Sequence, residues 1–290
     1  MHRGLGRLAF LLAGAACMAV LAGVAFAATG SGHGPATHVS AKKQYVIGLV
    51  VDDLANEFHT RVADAAKLAA KQNNVTLKVL DDHRDTAQEA TAIDQLVAEK
   101  VDMILVLCTS ATGTPAALDR AMKAGVKVMT VVDSCNGSGS KYRYVGNDLT
   151  GGAGAIPQAQ ELVKMLHGKG NVVYIKGDPG SAVTHHREAG FMSVIKKYPG
   201  IKVIYNQNGD WLEPSGQTKM EDALTRFPAN GSTKIDAVAT HDDLMALGAI
   251  QALKSANRLK GTVVAGSDGT IEGLTSVAKG EMTFTVFNDA

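Results

Sequence analysis

The chain has 290 residues, of which 46% are hydrophobic and 20% charged, with 29 basic side chains against 28 acidic. Such a composition suits one or two packed cores at about 100–200 residues per domain. It offers no global field for nucleic acid or an anionic membrane, and no like-charge block forms a tail. At the start, His2, Arg3 and Arg7 flank or precede an apolar run at 8–26 that ends in the small-x-small triplet Ala25-Phe26-Ala27. This is a secretory pattern, so a signal peptide at 1–27, cleaved after Ala27, and a polar linker at 28–42 are expected. The competing reading is an uncleaved anchor, since the run approaches the roughly 20 residues that span a bilayer. The Gly/Ser/His stretch that follows favours cleavage. Gly14-Ala15-Ala16 before Cys17 lacks the large apolar residue that a lipidation site would carry.

Beyond the linker, short Val- and Ile-rich runs alternate with stretches of helical period. Strands are predicted at 46–51, 76–80, 103–107, 128–132 and 142–145, then at 172–175, 202–205, 237–240, 262–265 and 283–287. Most are continuous apolar runs, as buried parallel strands require. Phe58, Val62, Ala66 and Ala69 mark one face of the first helix. Thr86-Ala87-Gln88-Glu89 reads as a capping box, and Thr114 reads as the N-cap of a helix with Pro115 in its first turn and Gly125 at its end. The alternation implies an α/β fold of two doubly wound parallel-sheet lobes. The lobes are expected at 43–147 and 148–287, joined by a short hinge at 147–150, with 288–290 beginning a second crossing.

Ligands in open α/β sheets bind beyond the carboxyl ends of the strands. Those ends carry Asp52, Asp53 and Asn56; Asp133 and Ser134; His241, Asp242 and Asp243; Ser267 and Asp268; and Asn288. Taken singly, strand-end aspartates are turn formers and helix caps. Taken together at one edge they can ring a ligand rich in hydroxyl groups, since one carboxylate accepts from two neighbouring donors. Phe58 and Trp211, the one tryptophan, add flat rings suited to the C–H face of a sugar. The third and fourth strands are neighbours in a 2-1-3-4-5 sheet, so Cys108 and Cys135 come within disulfide reach unless the Gly/Ser-rich loop carries Cys135 away. Export would permit the bond, and the spacing does not suit zinc.

At these residues the chain resembles the type I periplasmic sugar-binding proteins of ABC importers, of the ribose- and galactose-binding kind, which share a fold with LacI-type ligand-binding cores. The resemblance covers about 43–289 and rests on IGLVVDDLANEFHT, Asp133-Ser134, THHREAGF, HDDLMALGAIQAL and VAGSDGT. It implies a periplasmic, monomeric protein without cofactor or metal that captures a sugar or polyol between its lobes and passes it to a membrane permease. Docking on a chemoreceptor or sensor kinase is the alternative. The implied ligand-binding residues are Asp52, Asn56, Phe58, His59, Asp133 and Ser134 in the first lobe, Arg187, Trp211, Asp242 and Asp268 in the second, and Asn288 at the crossover. The two aromatic positions would sandwich the ring while Arg, Asp and Asn side chains bond its hydroxyls. Asp52, His59 and Asp242 depart from the ribose-binding pattern, which points to another pentose, a polyol or a more basic sugar derivative. Family members cross back to the first lobe after the position of Asn288, so a stop at Ala290 implies a shortened frame or fragment.

Catalysis is not expected. His185 and His186 are adjacent and so point in different directions on a helix, unlike an i, i+4 zinc pair. Gly151-Gly152-Ala153-Gly154 lacks the ending of a P-loop and reads as a hinge or close packing. A repressor would need a DNA-binding helix-turn-helix where this chain has its signal pattern.

Overall fold

The computed structural model describes residues 43–132, 134–135, 142–146 and 155–288. The expected signal peptide and linker, Asp133, the crossing at 147–150, the glycine cluster at 151–154 and the residues after Asn288 lie outside the described residues.

The first lobe runs β1 (Tyr45–Val51), α1 (Glu57–Gln72), β2 (Val75–Asp81), α2 (Thr86–Ala98), β3 (Met103–Val106), α3 (Thr114–Lys123), β4 (Lys127–Val131) and β5 (Arg143–Val145). The second runs α4 (Ala155–Met165), β6 (Gly170–Lys176), α5 (Ala182–Ile195), β7 (Ile201–Asn208), α6 (Glu213–Arg226), β8 (Ala237–Thr240), α7 (Asp243–Ser255), β9 (Val263–Asp268), α8 (Ile271–Ala278) and β10 (Phe284–Phe287). Every predicted strand is present within a few residues of its expected ends. The sheets are ordered β2-β1-β3-β4-β5 and β10-β9-β8-β6-β7, and all strand pairs in both are parallel. Read outward from β6, the second order repeats the first, so each lobe has its switch point beside its first strand. That is where an open α/β sheet leaves a crevice.

Alternation along each strand feeds two cores per lobe. In the second lobe Val173 and Ile175 join Met245 and Ile250 on one face, while Val172 and Tyr174 join Leu162 and Phe191 on the other. In the first, Val50 and Ile104 pack with Ile93, Leu96 and Leu118, and Leu49 and Val51 pack with Ala63 and Leu107. Each large side chain so buried contributes up to about 1.5–3 kcal/mol. Gly48 admits α2 to this sheet, since a Cβ there would stand closer to Leu96 than any packing allows.

Two capping expectations fail for one reason. The N-cap of α2 is Asp85, whose carboxylate accepts from Ala87 N at 2.7 Å and Gln88 N at 3.2 Å, so Thr86 is already helical. The N-cap of α3 is Gly113, with Thr114 inside the helix. Glu89 turns inward instead of reaching back, accepting from Thr109 N at 3.0 Å and from the Thr114 hydroxyl. A tertiary contact between α2 and the β3–α3 connection therefore takes both residues from their local roles. Gly125 does follow the end of α3, at φ 88. The buried face of α1 is Phe58, Ala63 and Ala70, with Val62 and Ala66 half-buried and Ala69 exposed, so the expected stripe is rotated at its far end.

Candidate functional site

A cleft of about 720 Å3, mouth included, lies beyond the carboxyl ends of both sheets and is lined from both lobes. Its size falls within the range of small-molecule sites. Asp52, Asn56, Phe58, His59, Arg187, Trp211, Asp242 and Asp268 all line it. Ser134 is buried but is not among the lining residues, and Asn288 stands behind the wall, its amide donating to Asp268 at 2.9 Å and to Ser267 Oγ at 3.1 Å. Asp133 lies outside the described residues.

On the first-lobe wall, Asn56 caps α1 by accepting from Phe58 N at 2.9 Å, which fixes where the Phe58 ring enters the cleft. His59 Nδ1 lies 2.9 Å from Asp52 Oδ1 and 3.2 Å from the Asp53 carbonyl. The ring N–H is aligned on the carbonyl, so the contact with Asp52 is an ion pair and its Oδ1 accepts no aligned hydrogen bond. Burial alone would raise the Asp52 carboxyl, but the His59 and Arg84 charges outweigh it and hold the group below its ordinary value. The same pairing works on His59 in reverse: burial would lower the imidazole, and the Asp52 charge carries it above its ordinary value. Both shifts favour the charged forms of the pair.

The second-lobe wall is more deeply buried. Asp242 caps α7 through Oδ1, which accepts from Met245 N at 2.8 Å, while its buried Oδ2 has no hydrogen-bond partner. Burial, then the Asp268 charge, pushes its carboxyl up to about 7. Arg187 reaches across the strand ends, donating to the His241 carbonyl and from both Nη atoms to Asp268 Oδ1 at 3.3 Å, and stands 5.5 Å from the Trp211 ring. His241 receives Gly177 N at Nδ1 (3.1 Å) and faces the Tyr174 hydroxyl at Nε2 (2.6 Å), which assigns the proton to Nε2. Burial, then the Arg187 and Lys176 charges, lowers that imidazole well below its ordinary value, so the ring is neutral. The Trp211 ring packs directly against Gly177, where any Cβ would overlap it. Asp243, by contrast, is a brace: it accepts from Thr270 N at 2.8 Å, Thr270 Oγ1 at 2.9 Å and Thr285 Oγ1 at 2.6 Å.

Four lining residues, Arg84, Val132, Trp211 and Asp268, have positive φ, at 64, 64, 63 and 107°. Each such non-glycine residue costs roughly 1–3 kcal/mol and persists only where its surroundings over-determine it. Backbone strain and polar side chains thus gather on the same surface.

Residues 47–290 match the family model described as a periplasmic binding protein domain. The chain belongs to the periplasmic binding protein family. Among its relatives is the xylitol-binding protein of Mycolicibacterium smegmatis, 29% identical over 94% of this chain and 74% of that protein. A solute-binding protein of an ABC transporter from Bacillus halodurans, solved with bound myo-inositol, superposes with a TM-score of 0.77 at 28% identity, covering 85% of this chain and 83% of that one. The fructose-binding periplasmic domain of a hybrid two-component system superposes with a TM-score of 0.78 at 27% identity, covering 85% and 80%.

In this periplasmic binding protein the lobes also touch at the lips of the cleft. The Glu57 carboxylate accepts from Ile271 N, at the start of α8, at 3.0 and 3.1 Å; Arg61 Nη2 donates to the Asp268 carbonyl at 3.3 Å; and Ala111 N donates to the Gly180 carbonyl at 3.0 Å. Sequence reasoning missed Arg84, Thr109, Asp178 and Ser181 as lining residues. All four sit one or more residues past a strand end, within the polar connections that strand-end reading identifies. Arg84 is presented by a turn in which Asp81 accepts from His83 N at 2.9 Å and Asp82 from Arg84 N at 3.0 Å. That Asp-Asp-x-Arg pattern was the available signal.

Proposed function

We propose that this periplasmic binding protein captures a sugar or polyol between its lobes and delivers it to an ABC importer. One observation carries the reading: the buried Asp242 Oδ2 has no hydrogen-bond partner and lines a cleft whose opposite wall carries the Asp52–His59 pair and which also holds Phe58 and Trp211. A buried acceptor left unmatched costs about 1–3 kcal/mol, and a ligand hydroxyl facing Asp242 would satisfy it. The named ligands of the relatives, xylitol and myo-inositol, are polyhydroxylated and uncharged. Contacts at both lips are consistent with lobes that close on a ligand about crossings at 147–150 and 287–289.

The test is a thermal-shift screen of pentoses, hexoses, polyols and amino sugars, since a ligand that binds only the folded state stabilises by RT ln(1 + [L]/Kd). The expected result is a rise with at least one neutral polyol or sugar that is lost in Trp211→Ala. A panel that leaves the melting temperature unmoved at millimolar concentration overturns the reading. Docking of the loaded protein on a sensor is a second reading, supported by the likeness to the two-component domain, and it uses the same cleft.

A further inference from the structure

Cys108 and Cys135 are joined as a disulfide, with Cα atoms 5.3 Å apart. Cys108 lines the ligand cleft between Leu107 and Thr109, and Cys135, wholly buried, follows the lining residue Val132 by three positions. The bridge is not needed to bring these strands together. β3 and β4 are already paired in register from Met103↔Lys127 to Val106↔Thr130, and the bridge lies just beyond the last of these pairs. There the chain takes a costly path, with Val132 at φ 64° and Cys135 at φ 58°. Val132 is the one β-branched residue in the left-handed region among the described residues, the residue type least suited to it. Among the described residues two hydrogen bonds hold its backbone: Val132 N donates to the Val145 carbonyl at 2.9 Å, and its own carbonyl accepts from the Tyr144 hydroxyl at 2.9 Å.

We propose that the Cys108–Cys135 disulfide is a positioning element of the ligand site, holding the strained backbone of Val132 and Cys135 and the Cys108 wall in the arrangement that faces the cleft. Its primary effect is therefore on affinity, with a smaller effect on the fold. The affinity part rests on the sugar-binding reading, whereas the local ordering does not.

The experiment compares the oxidised protein, the protein reduced with dithiothreitol, and the Cys108→Ala/Cys135→Ala variant. On reduction the bridge takes up two electrons and two protons to give two thiols, while the reagent closes to a cyclic disulfide. Hydrogen exchange should accelerate in peptides covering Leu107–Thr109 and Val132–Cys135 and remain unchanged in α2 and throughout the second lobe. Xylitol, myo-inositol and D-ribose are the probes, and the affinity of whichever binds the oxidised form should fall about tenfold, equivalent to about 1.4 kcal/mol. Unchanged affinity and unchanged local exchange, with only a lower melting temperature, would overturn the proposal in favour of a general staple. Unfolding of the first lobe on reduction, or two alkylatable thiols in the exported protein, would overturn it as well. Should none of the probes bind the oxidised form, the failure belongs to the sugar reading and the exchange contrast alone decides this one.

Discussion

The two walls of the cleft solve the same task by different physics. On the second-lobe wall Arg187, Asp268, His241 and Asp242 are nearly or fully buried and interlocked through strand-end backbone, so their geometry is part of the lobe's own core. On the first-lobe wall Asp52 and His59 keep about a sixth of their side-chain surface, 18% and 16%, and are held by their ion pair and by the His59 contact with the Asp53 carbonyl at the mouth of α1. A wall built into a core is pre-organised but cannot change without cost to the fold. A wall whose charged pair still reaches solvent can change its ligand preference at less cost to the fold. Selectivity among hydroxylated ligands should therefore reside in the first lobe and rigidity in the second.

The largest expected effect tests the buried wall. Asp268→Ala removes the carboxylate that faces Arg187 and breaks this buried ion pair, a loss of about 3–5 kcal/mol. Urea denaturation of the ligand-free protein measures it, and a loss below about 1 kcal/mol would mean that this wall is no more integral than the other.

An intermediate effect comes from Asp242, whose carboxyl is pushed up to about 7 by burial and the Asp268 charge. The folded state holds this proton above the pH at which the unfolded chain releases it, so stability falls as pH rises from about 4 to about 7 on its account. Asp242→Asn keeps the cap to Met245 N and removes that penalty. The variant should therefore gain on the parent by about 2–3 kcal/mol more at pH 8 than at pH 5. A pH-independent difference would show that the carboxylate is solvated or paired.

The smallest effect tests the exposed wall. The depressed Asp52 carboxyl contributes stability above its ordinary value of 3.8 and loses it as pH falls through the lower folded value. The raised His59 contributes below its ordinary value of 6.5 and loses its contribution as pH rises through the higher folded value. Asp52→Asn should then cost about 1–2 kcal/mol near pH 5.5 and less at pH 9. Equal losses at both pH values would indicate a packing effect with no part for the ion pair.

The ten strands were legible because buried parallel strands are continuous apolar runs, and lobe topology followed from their alternation with helices. Eight of the eleven expected ligand residues line the cleft for a related reason: a parallel sheet puts all its carboxyl ends at one edge, so polar residues after strands converge whatever lies between them. Tertiary structure alone decided the rest. Whether a strand-end aspartate serves the ligand or the fold depends on neighbours far along the chain, as Asp243, which accepts from Thr270 and Thr285, differs from Asp242 beside it. Glu89 left its capping box because Thr109 and Thr114 offered buried donors. Asn288 supports Asp268 from behind the wall, a relation that exists only once β10 lies beside β9. Local pattern sets which backbone forms and where polar groups emerge, because period and strand polarity act over a few residues. The partner of each polar group is chosen by distance in space, which no short stretch of sequence encodes.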